Sequence, residues 1–390
     1  MQEFKIGSNE AGQRLDKFLH KYLKEAGSGF LYKMLRKKNI TLNKKKADGK
    51  EVLMPGDKVQ FFFSNETFEK FRGNVISKDV KEIDKGIRVQ EIKSSGSKSE
   101  KGIIRQYELA YEKLKGIEIV FENEHILLLN KPTGILSQKS EPTDLSVNEW
   151  LIGYLLADKK ITKEQLETFK PSICNRLDRN TSGLIICGKT LLGSQKMNAV
   201  IKDRKIHKYY RTFVKGSVKE KAYIKGYLKK DEKLNKVFLK ETCEDTKNSE
   251  YILIETSYQP ILELEGYTYL EVELITGKTH QIRAHLASIG HPLLGDEKYG
   301  DRNWNRSFKK VKLPKWQMLH SYRLEFPKMD GEFEELSEKK FIAKEPEIYE
   351  ILKRQIKSAI TNHLLIGYER IRNEDITWRP GIPEDSEVLL

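Results

Sequence analysis

One short polar segment of the chain carries a carboxylate in a setting that suits sugar chemistry. This segment covers residues 174–183, and the apolar stretch 184–187 follows it. The pattern predicts a loop that leads into a buried strand, with Asp178 on the loop. Arg176 and Arg179 flank the aspartate and favour its ionised form. Such a carboxylate can act as a nucleophile or stabilise a cationic sugar, but it is poorly suited to act as a general acid.

The same loop is also compatible with other roles. Asp178 could pair with arginines only to fix a turn. An aspartic protease would need two aspartates in Asp-Thr-Gly or Asp-Ser-Gly triplets, and the sequence contains neither. A serine hydrolase would need a Gly-x-Ser-x-Gly elbow, whereas Ser182 lies in Thr-Ser-Gly-Leu. No set of partnered ligands indicates a metal site. The residues alone leave a reactive carboxylate and a structural aspartate as open alternatives.

A second polar segment, residues 274–286, predicts the start of a short helix. Thr276 or Thr279 is placed to cap the N-terminus of this helix, and Gly290 is placed to end it. Arg283 lies beside the apolar stripe, at the border from which a long side chain can extend into a cleft.

Two histidines in this segment do not indicate a zinc site. His280 and His285 are five positions apart in the sequence, which places them about 140° apart around a helix. Side chains in that relation cannot easily share one metal ion, so we predict no metal centre.

The elements that must position these residues predict an α+β fold. Residues 117–130 predict two strands around a turn, and residues 147–156 predict a helix. Strand patterns dominate from 184 to 274, without the regular strand–helix alternation of a doubly wound sheet. We therefore predict a largely antiparallel mixed sheet in a domain spanning 113–330, followed by a C-terminal helix and tail at 331–390.

A small N-terminal domain over residues 1–63 is predicted to precede this sheet. Apolar residues at helical spacing in 15–23 and 30–35 predict two amphipathic helices, and short strands follow them. The intervening residues 64–112 include the polar stretch 94–102, which predicts a linker or an exposed insertion.

Composition points to a polyanionic partner. The net charge of the 390 residues is +14, and residues 1–60 hold 14 Lys and Arg against 7 Asp and Glu, a net of +7. Basic residues of this kind favour binding to nucleic acid. No apolar run of about 18 residues indicates a membrane span, and the N-terminus lacks an apolar signal core. Three isolated cysteines, Cys174, Cys187 and Cys243, predict reduced thiols and a cytoplasmic location.

Four segments in a fixed order resemble the RluA-type family of pseudouridine synthases. The family's HRLDxxTSG motif corresponds to residues 175–183, and its RTHQIRxHLxxxGHPxxGDxxYG motif corresponds to residues 278–300. Its first motif corresponds to residues 130–136, and its KxYxAxVxG segment corresponds to residues 208–216. The resemblance covers about residues 117–326.

The N-terminal domain in turn resembles the S4 RNA-binding domain. The segments RLDKFL, YKMLRKKNITLN and PGDKV match the pattern of that domain, except that Lys44 stands where a glycine usually follows an asparagine. The resemblance implies RNA contacts by basic residues of this domain, namely Arg14, Lys33, Arg36, Lys37, Lys38, Lys44, Lys45 and Lys46.

The family resemblance implies a reaction and a set of site residues. Asp178 corresponds to the catalytic aspartate, Tyr210 to the active-site tyrosine and Arg283 to the arginine that pairs with the aspartate. Such an enzyme breaks the uracil N1–C1′ bond, rotates the base and rejoins it through C5, with no metal and no cofactor. Arg176 could fill the gap that a flipped uridine leaves in its stack.

Two positions depart from the family pattern, because Asn175 replaces a histidine and Lys278 replaces an arginine. Ribosomal RNA of the large subunit is the expected substrate, with transfer RNA as the alternative, and we expect a monomer. An inert RNA-binding protein with an S4-like domain is a rival function. A synthetase with such a domain is another, but residues 289–292 only superficially match its HIGH motif and no KMSKS loop occurs.

Overall fold

The structure is a computed structural model, and it describes most of the chain. The described residues are 1–72, 95–233, 236–242, 250–264, 266–308 and 313–354. Cys243, part of the predicted linker and most of the predicted C-terminal tail lie outside them. The chain divides into two units, residues 1–344 and 345–390.

A small four-stranded sheet with its own core occupies the N-terminal region. Its strands are in the order β1-β4-β2-β3, and all of its neighbouring strands are antiparallel. The elements are β1 (Gln2–Lys5), α1 (Leu15–Tyr22), α2 (Ser28–Arg36), β2 (Ile40–Leu42), β3 (Lys45–Lys46), β4 (Lys58–Phe61) and α3 (Asn65–Arg72). The predicted sequence of two helices followed by strands is confirmed, whereas β1 was not predicted.

The helices of this region form where apolar residues repeat at helical spacing. On α1, Leu15, Phe18, Leu19 and Tyr22 are all buried, and they join one cluster with Leu31 and Leu35 of α2. Phe68 of α3 belongs to the same cluster. The small core therefore extends past residue 63, into a segment that the sequence predicted as a linker.

An eleven-stranded sheet forms the body of the larger region. Its strand order is β11-β10-β12-β13-β9-β14-β8-β6-β5, with β15 paired to β14 and β7 paired to β8. Its strands are β5 (Glu118–Glu122), β6 (Ile126–Lys131), β7 (Ser172–Ile173), β8 (Ser182–Gly188), β9 (His207–Lys215), β10 (Ala222–Asp231), β11 (Lys236–Lys240), β12 (Ile252–Leu264), β13 (Tyr267–Leu274), β14 (Leu319–Glu325) and β15 (Lys340–Ile342).

This sheet confirms the predicted α+β class. The β8–β14 pair is parallel, and the other strand pairs of the sheet in the described residues are antiparallel. The helices of the larger region are α4 (Ser95–Lys113), α5 (Val147–Ala157), α6 (Leu191–Lys202), α7 (Gln281–Ser288) and α8 (Arg302–Ser307). The helix predicted at 147–156 corresponds to α5, and the sheet continues past residue 330 through β15.

Two helices differ from the sequence prediction. Residues 95–102 belong to α4 instead of forming a linker, because Tyr107 and Ala110 further along the helix are buried in the core beside α5. The helix α6 lies in a stretch where strands were expected. Its N-terminus is capped by Thr190, whose hydroxyl accepts a hydrogen bond from Gly193 N, and its buried residues pack against the sheet.

The second unit is described only in its first part. Residues 347–354 are helical, and Lys353 contacts Glu345 and Glu350 at 2.7 and 2.6 Å. This helical stretch lies within the predicted C-terminal helix and tail. No helix within the described residues is long and apolar enough to cross a membrane.

Candidate active site

The loop that carries Asp178 lies between β7 and β8, as the sequence predicted. The strand β8 is buried along its whole length, whereas Asp178 keeps 29% of its side chain exposed. Ser137 holds the loop in place, because its hydroxyl donates to Leu177 O at 2.7 Å and accepts from Leu177 N at 3.0 Å. The carboxylate is therefore partly exposed to solvent on a loop that Ser137 holds in place.

A buried lysine holds the other side of the same loop. Lys131, at the end of β6, is fully buried, and its ammonium group donates to the carbonyl oxygens of Pro132, Ile135 and Arg179. Burial lowers the pKa of Lys131 to about 7, although the negative charge of Asp178 opposes the shift. Lys131 thus links residues 130–136, which correspond to the family's first motif, to the Asp178 loop.

Close packing of two strands sets where β8 begins. Gly183 has a φ of +109°, and a Cβ at this position would lie 2.2 Å from the carbonyl oxygen of Ser321 on β14. Only glycine allows this approach. The neighbouring Ser182 hydroxyl lies 2.8 Å from His320 Nδ1. The Thr-Ser-Gly part of the segment therefore serves the parallel pairing of β8 with β14.

Arg283 joins Asp178 to a second, buried carboxylate. Its Nη1 donates to Asp178 Oδ2 at 3.1 Å. Its Nε and Nη2 donate to the two oxygens of Asp296 at 2.7 and 2.9 Å, in a bidentate arrangement. The arginine predicted at the border of α7 does reach Asp178, at what we take as the candidate cleft, and its side chain is only 8% exposed.

Asp296 is the anchor of this arrangement. Its side chain is fully buried, and its Oδ1 also accepts hydrogen bonds from the backbone N–H groups of Lys298 and Tyr299. Burial alone would raise the pKa of Asp296, but the hydrogen bonds and positive charge of Arg283 outweigh it and hold the pKa below its ordinary value. The guanidinium group is therefore oriented before any substrate binds.

The two oxygens of Asp178 have different surroundings. Oδ2 accepts from Arg283 and lies 3.8 Å from His280 Nε2. Among the described residues, none donates a hydrogen bond to Oδ1. One oxygen is thus held by the protein, and the other is available to a ligand in the cleft.

Tyr210, on β9, lies near enough to Asp178 for the carboxylate charge to affect its phenol. The residue is buried, and it lies in the centre of the sheet, opposite Ser321 of β14 and Val272 of β13. Burial raises the pKa of Tyr210 to about 12; Asp178 adds to the shift, and Ser321 opposes it. The phenol therefore stays protonated at neutral pH.

A histidine at the start of α7 completes the surroundings of Asp178. His280 has a φ of +53°, and its Nδ1 lies 3.0 Å from the Tyr299 hydroxyl. The Tyr299 ring also lies under Arg283, 5.2 Å from the guanidinium carbon to the ring centroid. Burial lowers the pKa of His280 below its ordinary value; Asp178 opposes the shift, whereas Arg283 adds to it.

The helix cap predicted for α7 was wrong. His280 occupies the N-cap position without a side-chain cap, while the Thr276 hydroxyl donates to Gln281 Oε1 and accepts from Glu255 N. His280, in the left-handed conformation, therefore stands where a threonine cap was expected. The Thr276 hydroxyl is engaged by Gln281 and by Glu255 of β12. The predicted end at Gly290 is confirmed, because Gly290 has a φ of +85° and follows the last turn.

The two histidines of this segment have separate surroundings. His285 Nδ1 lies 2.9 Å from the Thr256 hydroxyl, whereas His280 faces Tyr299 and Asp178. No group of three or more His, Cys, Asp or Glu side chains in the described part of the chain could hold a metal ion.

The arginines next to Asp178 in the sequence do not bind it. Arg176 and Arg179 are exposed, and the ion pair of Asp178 is made by Arg283, 105 positions away. The departures from the family pattern lie beside the site: Asn175 bonds the backbone of Leu184 and Ile186, and Lys278 is exposed.

The predicted RNA-contacting residues of the N-terminal region are mostly exposed. Seven of them are exposed, and within the described residues none of the seven forms an ion pair: Lys33, Arg36, Lys37, Lys38, Lys44, Lys45 and Lys46. Arg14 differs, because it is paired with Asp16 at 2.6 Å. The structure therefore gives two candidate regions, the surroundings of Asp178 and the exposed basic residues of the N-terminal region.

Sequence reasoning did not single out three residues that shape the cleft. These are Asp296, Lys131 and Ser137, which hold Arg283 and the Asp178 loop. Asp296 and Lys131 both occur in the family-like segments, so those segments could have indicated them. Nothing in the local sequence around Ser137 indicates its contact with Leu177, 40 positions away.

The known proteins to which this chain is similar are RNA pseudouridine synthases. A family model described as RNA pseudouridylate synthase matches residues 125–288, which include Asp178, Tyr210 and Arg283. An uncharacterized RNA pseudouridine synthase of Mycoplasma genitalium is 28% identical over 336 residues, covering 84% of this chain and 90% of that protein.

Two further relatives carry a substrate in their names. Ribosomal large subunit pseudouridine synthase D of Borreliella burgdorferi is 34% identical over 238 residues, covering 60% of this chain and 67% of that protein. Ribosomal large subunit pseudouridine synthase C of Vibrio parahaemolyticus is 26% identical over 322 residues, covering 82% of this chain and 87% of that protein.

Proposed function

This chain belongs to the RluA-type family of RNA pseudouridine synthases, and from that premise we propose that it isomerises selected uridines of large-subunit ribosomal RNA. The activity, an isomerisation of uridine in RNA, follows from the family. The choice of ribosomal RNA is supported by the names of the relatives from Borreliella burgdorferi and Vibrio parahaemolyticus.

We assign the reactive carboxylate to Asp178. The observation that carries this assignment is the bridge made by Arg283, which binds Asp178 Oδ2 with one nitrogen and buried Asp296 with two. The bridge places a positive charge beside Asp178 and fixes its orientation. Oδ1 is then the oxygen that meets C1′ of the uridine when the N1–C1′ bond breaks, either by attack or by stabilising the positive charge on the sugar.

Tyr210 is proposed to contact the uracil base. Because burial raises the pKa of Tyr210 to about 12, its phenol carries a proton at neutral pH. A protonated phenol can stack on the base or donate a hydrogen bond to it. Removal of the C5 proton by Tyr210 would first require loss of the phenol proton, so the stacking and donating roles are better supported.

The N-terminal domain, residues 1–63, is proposed to be S4-like and to bind the RNA outside the cleft. Seven exposed basic residues that form no ion pair within the described part of the chain support this role. Each of them that meets a phosphate would release condensed counterions and strengthen binding. Arg176, exposed beside Asp178, is proposed to fill the space of the flipped uridine. A cytoplasmic location is part of the proposal, supported by the free thiols of Cys174 and Cys187.

Mapping pseudouridines in cells tests the substrate. Total RNA is compared between cells with the intact gene, cells without it and cells that carry the Asp178→Asn variant. Specific positions in large-subunit ribosomal RNA should lose pseudouridine in the second and third strains. Loss confined to transfer RNA would overturn the choice of ribosomal RNA, and unchanged modification in the Asp178→Asn strain would overturn the role of Asp178.

A further inference from the structure

A chain of hydrogen bonds reaches the candidate carboxylate from the edge of the sheet. It begins at Val237 on β11, whose backbone N–H donates to the Tyr299 oxygen at 2.9 Å. The Tyr299 hydroxyl is 3.0 Å from His280 Nδ1. Val237 already donates to the phenol oxygen, and Nδ1 is the acceptor within reach of the hydroxyl hydrogen, so the contact fits an arrangement in which Tyr299 donates to Nδ1.

This contact selects the tautomer of the histidine. If Nδ1 accepts from Tyr299, the hydrogen of the neutral ring must be on Nε2. Nε2 is the nitrogen that lies 3.8 Å from Asp178 Oδ2. The donor side of the imidazole is therefore directed toward the same carboxylate oxygen that Arg283 binds at 3.1 Å.

The backbone of His280 is held in an unfavourable conformation to achieve this. Its φ of +53° lies in the left-handed region, which costs a non-glycine residue free energy. Its carbonyl oxygen accepts from Ala284 N at 3.0 Å, so the residue is tied into α7. Strain of this kind persists when the surroundings fix the residue, and it is frequent at functional sites.

Burial, together with two neighbouring cations, lowers the pKa of His280 and keeps its ring neutral. The imidazole is largely buried, and Arg283 and Lys298 place positive charge beside it. A second cation would repel Arg283 and would compete with it for Asp178. A neutral N–H donor instead adds to the hold on Oδ2 without changing the charge of the pair.

We propose that His280, locked by Tyr299, is a positioning residue that directs Nε2–H to Asp178 Oδ2 and so keeps Oδ1 facing the sugar. The proposal rests on the role of Asp178 proposed above. A shift of about 0.8 Å on binding of the uridine would bring Nε2 from its 3.8 Å separation to hydrogen-bond distance.

Two substitutions of His280 separate this role from a purely structural one. In His280→Gln the side-chain amide can place an N–H near the position of Nε2, whereas in His280→Asn it can only reach the position of Nδ1. Asparagine is more favourable than glutamine in the left-handed conformation. A role limited to the backbone therefore predicts a higher kcat for His280→Asn than for His280→Gln. The positioning role predicts the reverse, a higher kcat for His280→Gln.

Steady-state release of tritium from C5-labelled RNA gives kcat and KM for each variant. We expect His280→Gln to keep kcat within about tenfold of the wild type. His280→Asn should lower kcat about 100-fold while KM changes little, because one oriented donor is removed. Tyr299→Phe keeps the ring beside Arg283 but removes the hydroxyl lock, so its kcat should fall about tenfold.

The outcomes distinguish the inference from the function on which it rests. Wild-type turnover in all three variants, or an Asn variant at least as active as the Gln variant, would overturn the positioning role. Asp178→Asn is measured in the same assay. If Asp178→Asn turns over normally, the proposed role of Asp178 fails and the inference fails with it. Thermal unfolding of each variant shows whether a loss of kcat comes from a folded protein.

Discussion

Asp296→Asn is the most informative perturbation of the cleft. The substitution keeps the size of the side chain and removes its charge. Oδ1 accepts three hydrogen bonds, from Arg283 Nη2 and from the backbone of Lys298 and Tyr299. We therefore expect the amide oxygen to take the Oδ1 position. The amide NH2 group would then face Arg283 Nε, which now donates to Oδ2 at 2.7 Å. Two donors would oppose each other in a buried space.

The size of the effect follows from burial. The Asp296 side chain is fully buried, and that of Arg283 is 8% exposed. Removing one partner of a buried ion pair costs about 3–5 kcal/mol, because the other charge stays buried without compensation. Asp178 remains as a counter-charge for Arg283, so we expect a loss near 3 kcal/mol, about the lower end of that range, in the free energy of unfolding. The freed guanidinium should also shift toward Asp178 and lower kcat.

The pH dependence has a definite sign. The hydrogen bonds and charge of Arg283 outweigh burial and hold the pKa of Asp296 below its ordinary value of 3.8. A depressed carboxyl pKa contributes stability that is present above the unfolded pKa and lost as pH falls through the folded pKa. The difference between wild type and Asp296→Asn should therefore be constant at neutral pH and shrink below about pH 4.

Urea unfolding at about pH 7 and about pH 3.5, on either side of the unfolded pKa, measures both effects. Asp301→Asn is the matched control, because Asp301 caps α8 and pairs with Lys215 on the surface. Asparagine caps a helix as well as aspartate does, so this variant should unfold close to the wild type. Equal stability of the two variants at neutral pH would refute the reasoning on the buried pair.

Three further outcomes are expected. Asp178→Asn should abolish tritium release while RNA affinity stays within about tenfold, or about 1.4 kcal/mol; near-normal release would exclude the proposed role. Lys44→Gly should raise the free energy of unfolding by about 1 kcal/mol, since Lys44 has a φ of +61° in the β2–β3 turn; an unchanged midpoint in urea would contradict this. Replacing Lys45 and Lys46 by alanine should make the slope of log K for RNA binding against log salt less steep. The magnitude of this slope should fall by about 0.7–0.9 for each phosphate that these lysines neutralise. An unchanged slope would exclude phosphate contacts by Lys45 and Lys46.

The sequence predicted the elements whose apolar residues repeat regularly. The spacing of Leu15, Phe18, Leu19 and Tyr22 predicted α1, and all four are buried. The helix α6 was missed although Thr190 stands at its N-cap, because the surrounding apolar residues also suit a strand. The helix α4 was missed because its first residues are small and polar, while the apolar residues that hold it begin only further along.

The candidate site was predicted through family resemblance and not through local charge. Local charge indicated Arg176 and Arg179 as the partners of Asp178, and both are exposed. The partner is Arg283, which lies on α7 and is brought near only by the tertiary fold. A charged residue beside another in a loop can point to solvent at little cost, because exposed ion pairs contribute little free energy.

The residues that orient the site were beyond prediction from spacing alone. Asp296 holds Arg283 from a tight loop in which a Cβ on Gly300 would lie 2.0 Å from the Asp296 carbonyl oxygen. The sequence shows an aspartate near two glycines, a pattern that is typical of any exposed turn. Its burial depends on Arg283, which reaches it from α7 and directs two N–H groups to its carboxylate. The same long-range contacts account for the left-handed His280 at the N-cap of α7. A threonine at this N-cap could cap the helix, but Tyr299 would then lack the imidazole that lies between its hydroxyl and Asp178.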